Sequence, residues 1–211
     1  MAISKATNIL IVGVGGQGNR TLMKIIASAA LADVTEVRVL SSASLGRLGG
    51  PITCHIRLGL STSASIPAGE TDILVALEMN EALRAMPMMR REALAFIYTH
   101  CRTPITASIQ GMHYPSLQEI EKAGADKAIK YIFVPTASSS FDDIAQERCL
   151  TEFANIVMLG TFCGYTQILP RSIVEQSLRQ CLPANAALEN LHTFATGWLH
   201  GEDMLHRAKI N

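Results

Sequence analysis

Charge is scarce in this chain. Only 17% of its 211 residues are Asp, Glu, Lys or Arg, where about 25% is typical of a globular domain. The 18 basic and 18 acidic side chains cancel to a formal net charge of +0, and no run of one sign occurs. That argues against a nucleic-acid binder and against a charged tail. Paired cysteines are missing as well. Cys54, Cys101, Cys149, Cys163 and Cys181 are odd in number, widely spaced and form no CxxC. Neither a zinc site nor a four-cysteine iron–sulfur cluster is expected on this chain, and thiols in a reducing compartment are. No apolar stretch approaches the roughly 18 residues of a membrane-spanning helix. The start, MAISKATNILIVG, lacks the apolar region and cleavage site of a signal peptide. The expectation is a soluble, cytoplasmic protein with no nucleic acid and no membrane among its partners.

What the chain has in excess is apolar surface. Hydrophobic residues make up 48% of it, and nine are methionine. A chain so poor in charge is expected to bury an apolar face against another chain. The expected contributors are the segment EALRAMPMM and the C-terminal helices around Met158, Phe162 and Trp198, since Met recurs at surfaces that fit partners.

The element pattern is that of an α/β protein. A strand at Asn8–Val12 enters a glycine turn, and a helix from about Gln17 to Ala32 carries Leu22, Ile25, Ile26 and Ala29 on one face. EVRVLSS reads as a second strand. ITCHIRLG alternates, with Ile52, Cys54, Ile56 and Leu58 on one side and Thr53, His55 and Arg57 on the other. DILVALE reads as a buried parallel strand. Asn80 is a candidate cap for the helix EALRAMPMM, which Pro87 limits. ALAFIYT and KYIFVP read as strands, separated by a helix with the capping box Ser116-x-x-Glu119 and a stop at Gly124. Helices follow near Asp142–Arg148, over about Thr151–Gln167, from the capping box Ser172-x-x-Glu175, and through ALENLHTFATGWL. The expected fold is a single three-layer αβα Rossmann-like domain over 1–211. Its sheet is mainly parallel or mixed within a core of about 1–140, and 141–211 form a helical C-terminal part.

Gly13, Gly15 and Gly18 fit GxGxxG in the right context, after a strand and before a helix. NAD binding asks for Asp or Glu at the end of the second strand. Leu40, Ser41 and Ser42 stand there, so NAD is disfavoured. Small residues with Arg47 nearby leave an NADP-dependent oxidoreductase open. No Walker lysine follows the turn, since GQGNRT is not GK[ST], and no GxSxG occurs. Glu78 ends a strand at the cleft edge, and His55, His100 and His113 are scattered, so none stands out as a catalytic base. A ligand-facing turn without a reactive group points to a supporting subunit. A ligand-binding module with no reaction of its own is a third possibility.

GVGGQG at the first turn, GRLGG before ITCHIRLG, and then DILVALEMNEALRAMP form an ordered set. TPIT, YPSLQEI, ANIVMLG and ENLHTFATGW continue it. Together, from about Asn8 to Trp198, they resemble the gamma-type module of 2-oxoacid:ferredoxin oxidoreductases, most nearly the small subunits of the indolepyruvate type. The resemblance implies oxidative decarboxylation of a 2-oxoacid to an acyl-CoA. Thiamine diphosphate, Mg and 4Fe-4S clusters would sit on a large partner subunit, with ferredoxin as electron acceptor and coenzyme A as a shared substrate. It implies no catalytic residue and no metal on this chain, while the apolar excess above leads to the expectation of a homodimer when the chain is isolated. It assigns ligand contact to Gly13, Gly15, Gly16, Gln17, Gly18, Arg47, Gly49, Gly50, Asn155 and Asn190. Two positions depart from the family pattern. Leu48 separates Arg47 from Gly49-Gly50 where Arg-Gly-Gly is common, and His100 stands where relatives tend to have Asn.

Overall fold

A computed structural model describes residues 6–33, 36–43, 50–99, 114–134 and 153–210. The helix expected near Asp142–Arg148 lies outside them, as do TPIT, His100 and His113. Six strands form one mixed sheet: β1 (Thr7–Val14), β2 (Val37–Ala43), β3 (Pro51–Leu58), β4 (Thr71–Ala76), β5 (Met89–Tyr98) and β6 (Lys130–Val134), in the order β2-β3-β1-β4-β5-β6. β3 runs antiparallel to both β1 and β2, while β1, β4, β5 and β6 are parallel. Chain length accounts for the reversal. Only residues 44–50 join β2 to β3, and a parallel return needs a crossover of a dozen residues or more.

β1 shows why the sheet carries two helical layers. Ile9 and Ile11 face one side and Leu10 and Val12 the other, and all four are buried. On the first side lie α1 (Asn19–Asp33), α4 (Ala154–Thr166), α5 (Arg171–Cys181) and α6 (Ala187–Ile210). On the second lie α2 (Met79–Ala85), α3 (Leu117–Ala123) and the loop carrying Ile66. The alternation of β3 holds: Cys54, Ile56 and Leu58 enter the first core. His55, on the other side, is buried too, because Ile66 N–H donates to its Nδ1 at 3.2 Å.

α4 is enclosed on every side, from Ile156 through Tyr165. Phe162 and Tyr165 meet Phe96 of β5 edge-to-face at 5.8 and 5.5 Å. Its outer side packs on α6 through two glycine pairs, Gly160 with Gly164 and Gly197 with Gly201. The four-residue spacing puts each pair on one helix face. A methyl group on Gly160 would collide with the Phe194 carbonyl and sit 2.7 Å from Trp198 N. Small residues at this spacing let two helix backbones touch, and the same geometry operates between membrane helices.

Several sequence expectations are corrected. The cap of α2 is Glu78, whose side chain accepts from Glu81 N at 2.9 Å, and not Asn80. Glu78 has extended backbone angles, so Met79 is the first helical residue and Asn80 already lies inside the helix. Ser172 and Glu175 form no capping box: α5 begins at Arg171 behind Pro170, and Glu175 instead accepts from Arg171 Nε at 2.8 Å. The fifth strand starts at Met89, within the stretch read as helix. Met86, Met89, Met158, Phe162 and Trp198, expected at a partner interface, are buried in the chain's own two cores. The Ser116–Glu119 box is present in full. Gly124 does end α3, but with φ −112° rather than a left-handed angle. A side chain there would meet Ile129 Cδ1 at 2.6 Å and the Tyr131 hydroxyl.

Candidate functional site

The parallel strands deliver their C-terminal ends to one edge of the sheet, where ligands of open α/β sheets collect. The glycine turn lies there. β3, running the other way, brings Gly50 and Pro51 to the same edge, because Val14 pairs with Pro51. Gly15 N–H donates to Gly50 O at 2.9 Å, so the two glycine segments are fastened together.

The turn is closed by its own side chains. Gln17 Oε1 accepts from Val14 N–H and Gln17 Nε2 donates to Leu77 O, both at 2.9 Å. Asn19 Nδ2 donates to Val14 O at 3.0 Å, and Gln17 N–H to the same oxygen at 3.3 Å. Gly13 is glycine because these amides fill the space below it. A methyl group there would stand 2.5 Å from Asn19 Oδ1 and 2.7 Å from Gln17 Oε1. Gly18 has φ +81°, and a methyl group on it would collide with the amide of Asn155 on α4. Gly16, with φ +97°, is exposed with open space around it. The turn therefore offers an outward face at Gly16 and the N-terminal end of α1, over an interior already satisfied.

Of the ten residues read as ligand contacts, this edge brings together Gly13, Gly15, Gly16, Gln17, Gly18, Gly50 and Asn155. Arg47 and Gly49 lie outside the described residues. Asn190 is in the first turn of α6, where its Nδ2 donates to Ala186 O at 2.7 Å, and no described hydrogen bond joins it to the turn. One residue of the site, Asn19, escaped the sequence reading, and Glu78, weighed there only as a base, has another role. Asn19 is almost completely buried, and its Oδ1 finds no partner among the described residues. An amide just after GxGxxG, at the start of a helix, was the available signal. Glu78, next after Leu77, is buried as a helix cap and also accepts from Asn80 Nδ2 at 3.3 Å.

The sheet order decides against a nicotinamide dinucleotide. In a dinucleotide-binding fold the second strand neighbours the first, and its end reads the ribose. Here β3 occupies that place and pushes β2 one strand further out. The N–H groups of Val14, Gly15 and Gln17, which would cradle a pyrophosphate, are bonded within the chain. Nearby, Cys54 Sγ lies 3.5 Å from Ser41 Oγ. Burial pushes the Cys54 thiol up despite Ser41 and Arg20, and pushes the Cys163 thiol up as well. Glu81, buried beside Arg84, is also pushed up, chiefly by its burial. Among the described residues no group of three His, Cys, Asp or Glu side chains could hold a metal ion, and no helix is long and apolar enough to cross a membrane.

The profile of the family described as pyruvate ferredoxin/flavodoxin oxidoreductase matches residues 8–198. The indolepyruvate oxidoreductase subunit IorB of Archaeoglobus fulgidus is 30% identical over 193 residues, covering 90% of this chain and 93% of that protein. The subunit of the same name from Methanothermobacter thermautotrophicus is 29% identical, with 90% and 95% covered. The crystal structure of pyruvate oxidoreductase subunit PORC from Thermotoga maritima has a TM-score of 0.63 at 18% identity, covering 92% of this chain and 96% of that one. A 2-oxoglutarate:ferredoxin oxidoreductase from Magnetococcus marinus has a TM-score of 0.61 at 11% identity. There 95% of this chain corresponds to 32% of the longer one. At such identities the structures speak to the fold: a mixed sheet, helices on both faces and C-terminal helices.

Proposed function

From the chain's membership of the pyruvate ferredoxin/flavodoxin oxidoreductase family, we propose that it is the small, gamma-type subunit of a 2-oxoacid:ferredoxin oxidoreductase of the indolepyruvate kind. The reaction converts a 2-oxoacid and coenzyme A to an acyl-CoA and carbon dioxide, and two electrons leave to ferredoxin. One observation carries this reading: relatives named for an indolepyruvate oxidoreductase subunit align over nearly the full length of both partners. The chain acts as one gamma-type unit beside a large subunit that holds thiamine diphosphate, Mg and the 4Fe-4S clusters. Thiamine diphosphate bound there would supply the electron sink that decarboxylation needs. This chain's part is positional. Gly13, Gln17, Gly18 and Asn155 hold the turn rigid, and Gly16 and Gly50 present backbone toward the partner and the coenzyme A cleft. Arg47, Gly49 and Asn190 belong to the proposed contact set through the resemblance alone. The interior of the turn, filled by Gln17 and Asn19, does not suit a dinucleotide, which weighs against a free-standing NADP enzyme. Without its large subunit the chain self-associates as a homodimer in the cytoplasm.

Co-expression with a large subunit bearing thiamine and ferredoxin-type motifs tests the reading. The two chains are expected to co-purify, and the complex to reduce a viologen acceptor only when indolepyruvate or another 2-oxoacid and coenzyme A are both supplied. Calorimetry of the lone chain with NADPH is expected to give no heat of binding. Saturable NADPH binding, together with no acceptor reduction by the complex, would overturn it.

A further inference from the structure

The outer edge of β2 is unpaired among the described residues, since β2 ends the sheet. Natural proteins guard such edges with prolines, lysines, bulges or a covering element. Over Val37–Ala43, VRVLSSA carries no proline and one charge. Val39 and Leu40 point to opposite faces of the strand, yet each is 42% exposed, so neither face is covered there.

The hydrogen-bond phase of this edge can be worked out. Gly59 N–H donates to Glu36 O at 2.9 Å, and the register pairs Val37 with Leu58. Glu36 is thus a bonded partner of Gly59. In an antiparallel ladder bonded residues alternate, so Arg38, Leu40 and Ser42 spend their backbone groups on β3. Val37, Val39, Ser41 and Ala43 point theirs outward. A second copy laid antiparallel about a two-fold axis at Leu40 sets Val37 opposite Ala43, and Val39 opposite Ser41. All four residues are in the outward phase. Leu40 meets Leu40 as the close, non-bonded pair on the axis. Arg38, the one charge in the strand, falls opposite Ser42, so no like charges face each other. The edge is complementary to itself in hydrogen bonding, apolar contact and charge at one and the same register.

We propose that the outer edge of β2 is the surface on which two copies of this chain associate, joining their sheets into one continuous sheet about an axis at Leu40. About eight inter-chain backbone hydrogen bonds follow, two for each bonded pair. The proposal rests on the self-association reading above and names its surface, and the test separates the two.

The full chain is purified alone and its sedimentation followed across micromolar concentrations. A dimer is expected. Val39→Pro removes an outward-pointing N–H and no bond to β3, and prolines are tolerated on edge strands. It should raise the dimer dissociation constant at least tenfold while the circular dichroism spectrum stays unchanged. Leu40→Cys gives a positive signal that loss of fold cannot mimic. Facing non-bonded residues lie about 4.5 Å apart at Cα, within the disulfide range of about 4.4–6.8 Å. Mild oxidation should join the two introduced thiols in an inter-chain disulfide identifiable by mass spectrometry, absent from the unsubstituted chain. A dimer that survives Val39→Pro and forms no such bridge leaves self-association standing and overturns this surface. A monomer at all concentrations overturns both. Loss of large-subunit binding in Val39→Pro, with no dimer of the lone chain, assigns the edge to that subunit and overturns the self-pairing.

Discussion

Gln17 bears the strongest prediction, because one side chain closes the glycine turn. β1 and β4 are in register up to Val12 and Ala76, and Leu77 N–H still donates to Val12 O at 2.9 Å. Beyond that the strands separate, and the Gln17 amide replaces the next rung, accepting from Val14 N–H and donating to Leu77 O. Gln17→Ala removes both bonds. Each is worth about 0.5–1.5 kcal/mol net, and the release of an ordered Gln rotamer offsets part of the sum. The expected loss is about 1–2 kcal/mol, or roughly 2–8 °C in Tm at about 2–4 °C per kcal/mol for a chain of this size. Gln17→Glu is the more discriminating change. The carboxylate still accepts from Val14 N–H but turns its other oxygen on the Leu77 carbonyl. Protonation restores a donor, so the folded state raises this carboxyl above its ordinary value near 4.3. A raised carboxyl confers stability that is present below the unfolded value and lost as pH rises through the folded one. The deficit of Gln17→Glu should therefore be full at pH 7 and small at pH 4, measured by urea unfolding against the unsubstituted chain at each pH. A Gln17→Ala chain as stable as the original, and a Gln17→Glu deficit indifferent to pH, would refute the closed turn and return its N–H groups to the list of free ligand donors.

Gly160→Ala should destabilise by about 2–4 kcal/mol despite the helix propensity it gains, since overpacking at a backbone contact costs more than the ~1 kcal/mol of a Gly-to-Ala exchange; an unchanged urea midpoint would show that α4 and α6 can separate freely. Glu78→Ala should lose about 1 kcal/mol as the cap of α2, while Asn80→Ala loses little; the reverse ranking in thermal melts would restore Asn80 as the cap. Burial pushes His55 down and His200 down, so at acid pH the unfolded chain takes up protons that the folded chain refuses. Stability should fall as pH drops through about 6.5, the ordinary histidine value, and His55→Asn, whose amide oxygen can still accept from Ile66 N–H, should flatten that slope between pH 7 and 5.

The sequence carried the strands and the glycine turn because each rests on local chemistry. β3 is legible since its alternating residues face different surroundings, and α1 since its apolar stripe has one partner face. The sheet order was within reach but unread: seven residues between β2 and β3 cannot hold a crossover, so the antiparallel return was implied by length. Capping is less legible. Glu78 and Asn80 are both competent acceptors, and only the point at which β4 ceases to be extended decides between them. The apolar excess pointed to the wrong residues for a physical reason. A helix such as α4, lying between a sheet and a second helix, is apolar all round, and composition cannot distinguish that from a helix awaiting a partner chain. Gly160-x-x-x-Gly164 and Gly197-x-x-x-Gly201 were the readable clue that α4 already has its neighbour.

The same glycine spacing thus serves two chemistries, and the third strand determines which. With β2 beside β1, the turn faces a crevice whose far wall reads a ribose, and its N–H groups are free for phosphate. With β3 inserted, the adjoining strand arrives from the opposite direction and brings a carbonyl, Gly50 O, to the Gly15 N–H. Once that donor is spent, Gln17 and Asn19 can fold inward with no phosphate to exclude them, and Gly13 must stay bare to admit them. What remains outward is backbone at Gly16 and the packed contact between Gly18 and Asn155, which ties the turn to α4 and through it to the α6 glycine seam. A turn fastened at so many points is suited to hold a shape for a neighbouring subunit. On the proposed reading the chemistry is supplied from across that edge, and the consequence is measurable: substitutions at Gly16 should change turnover of the assembled complex more than they change the unfolding of the lone chain.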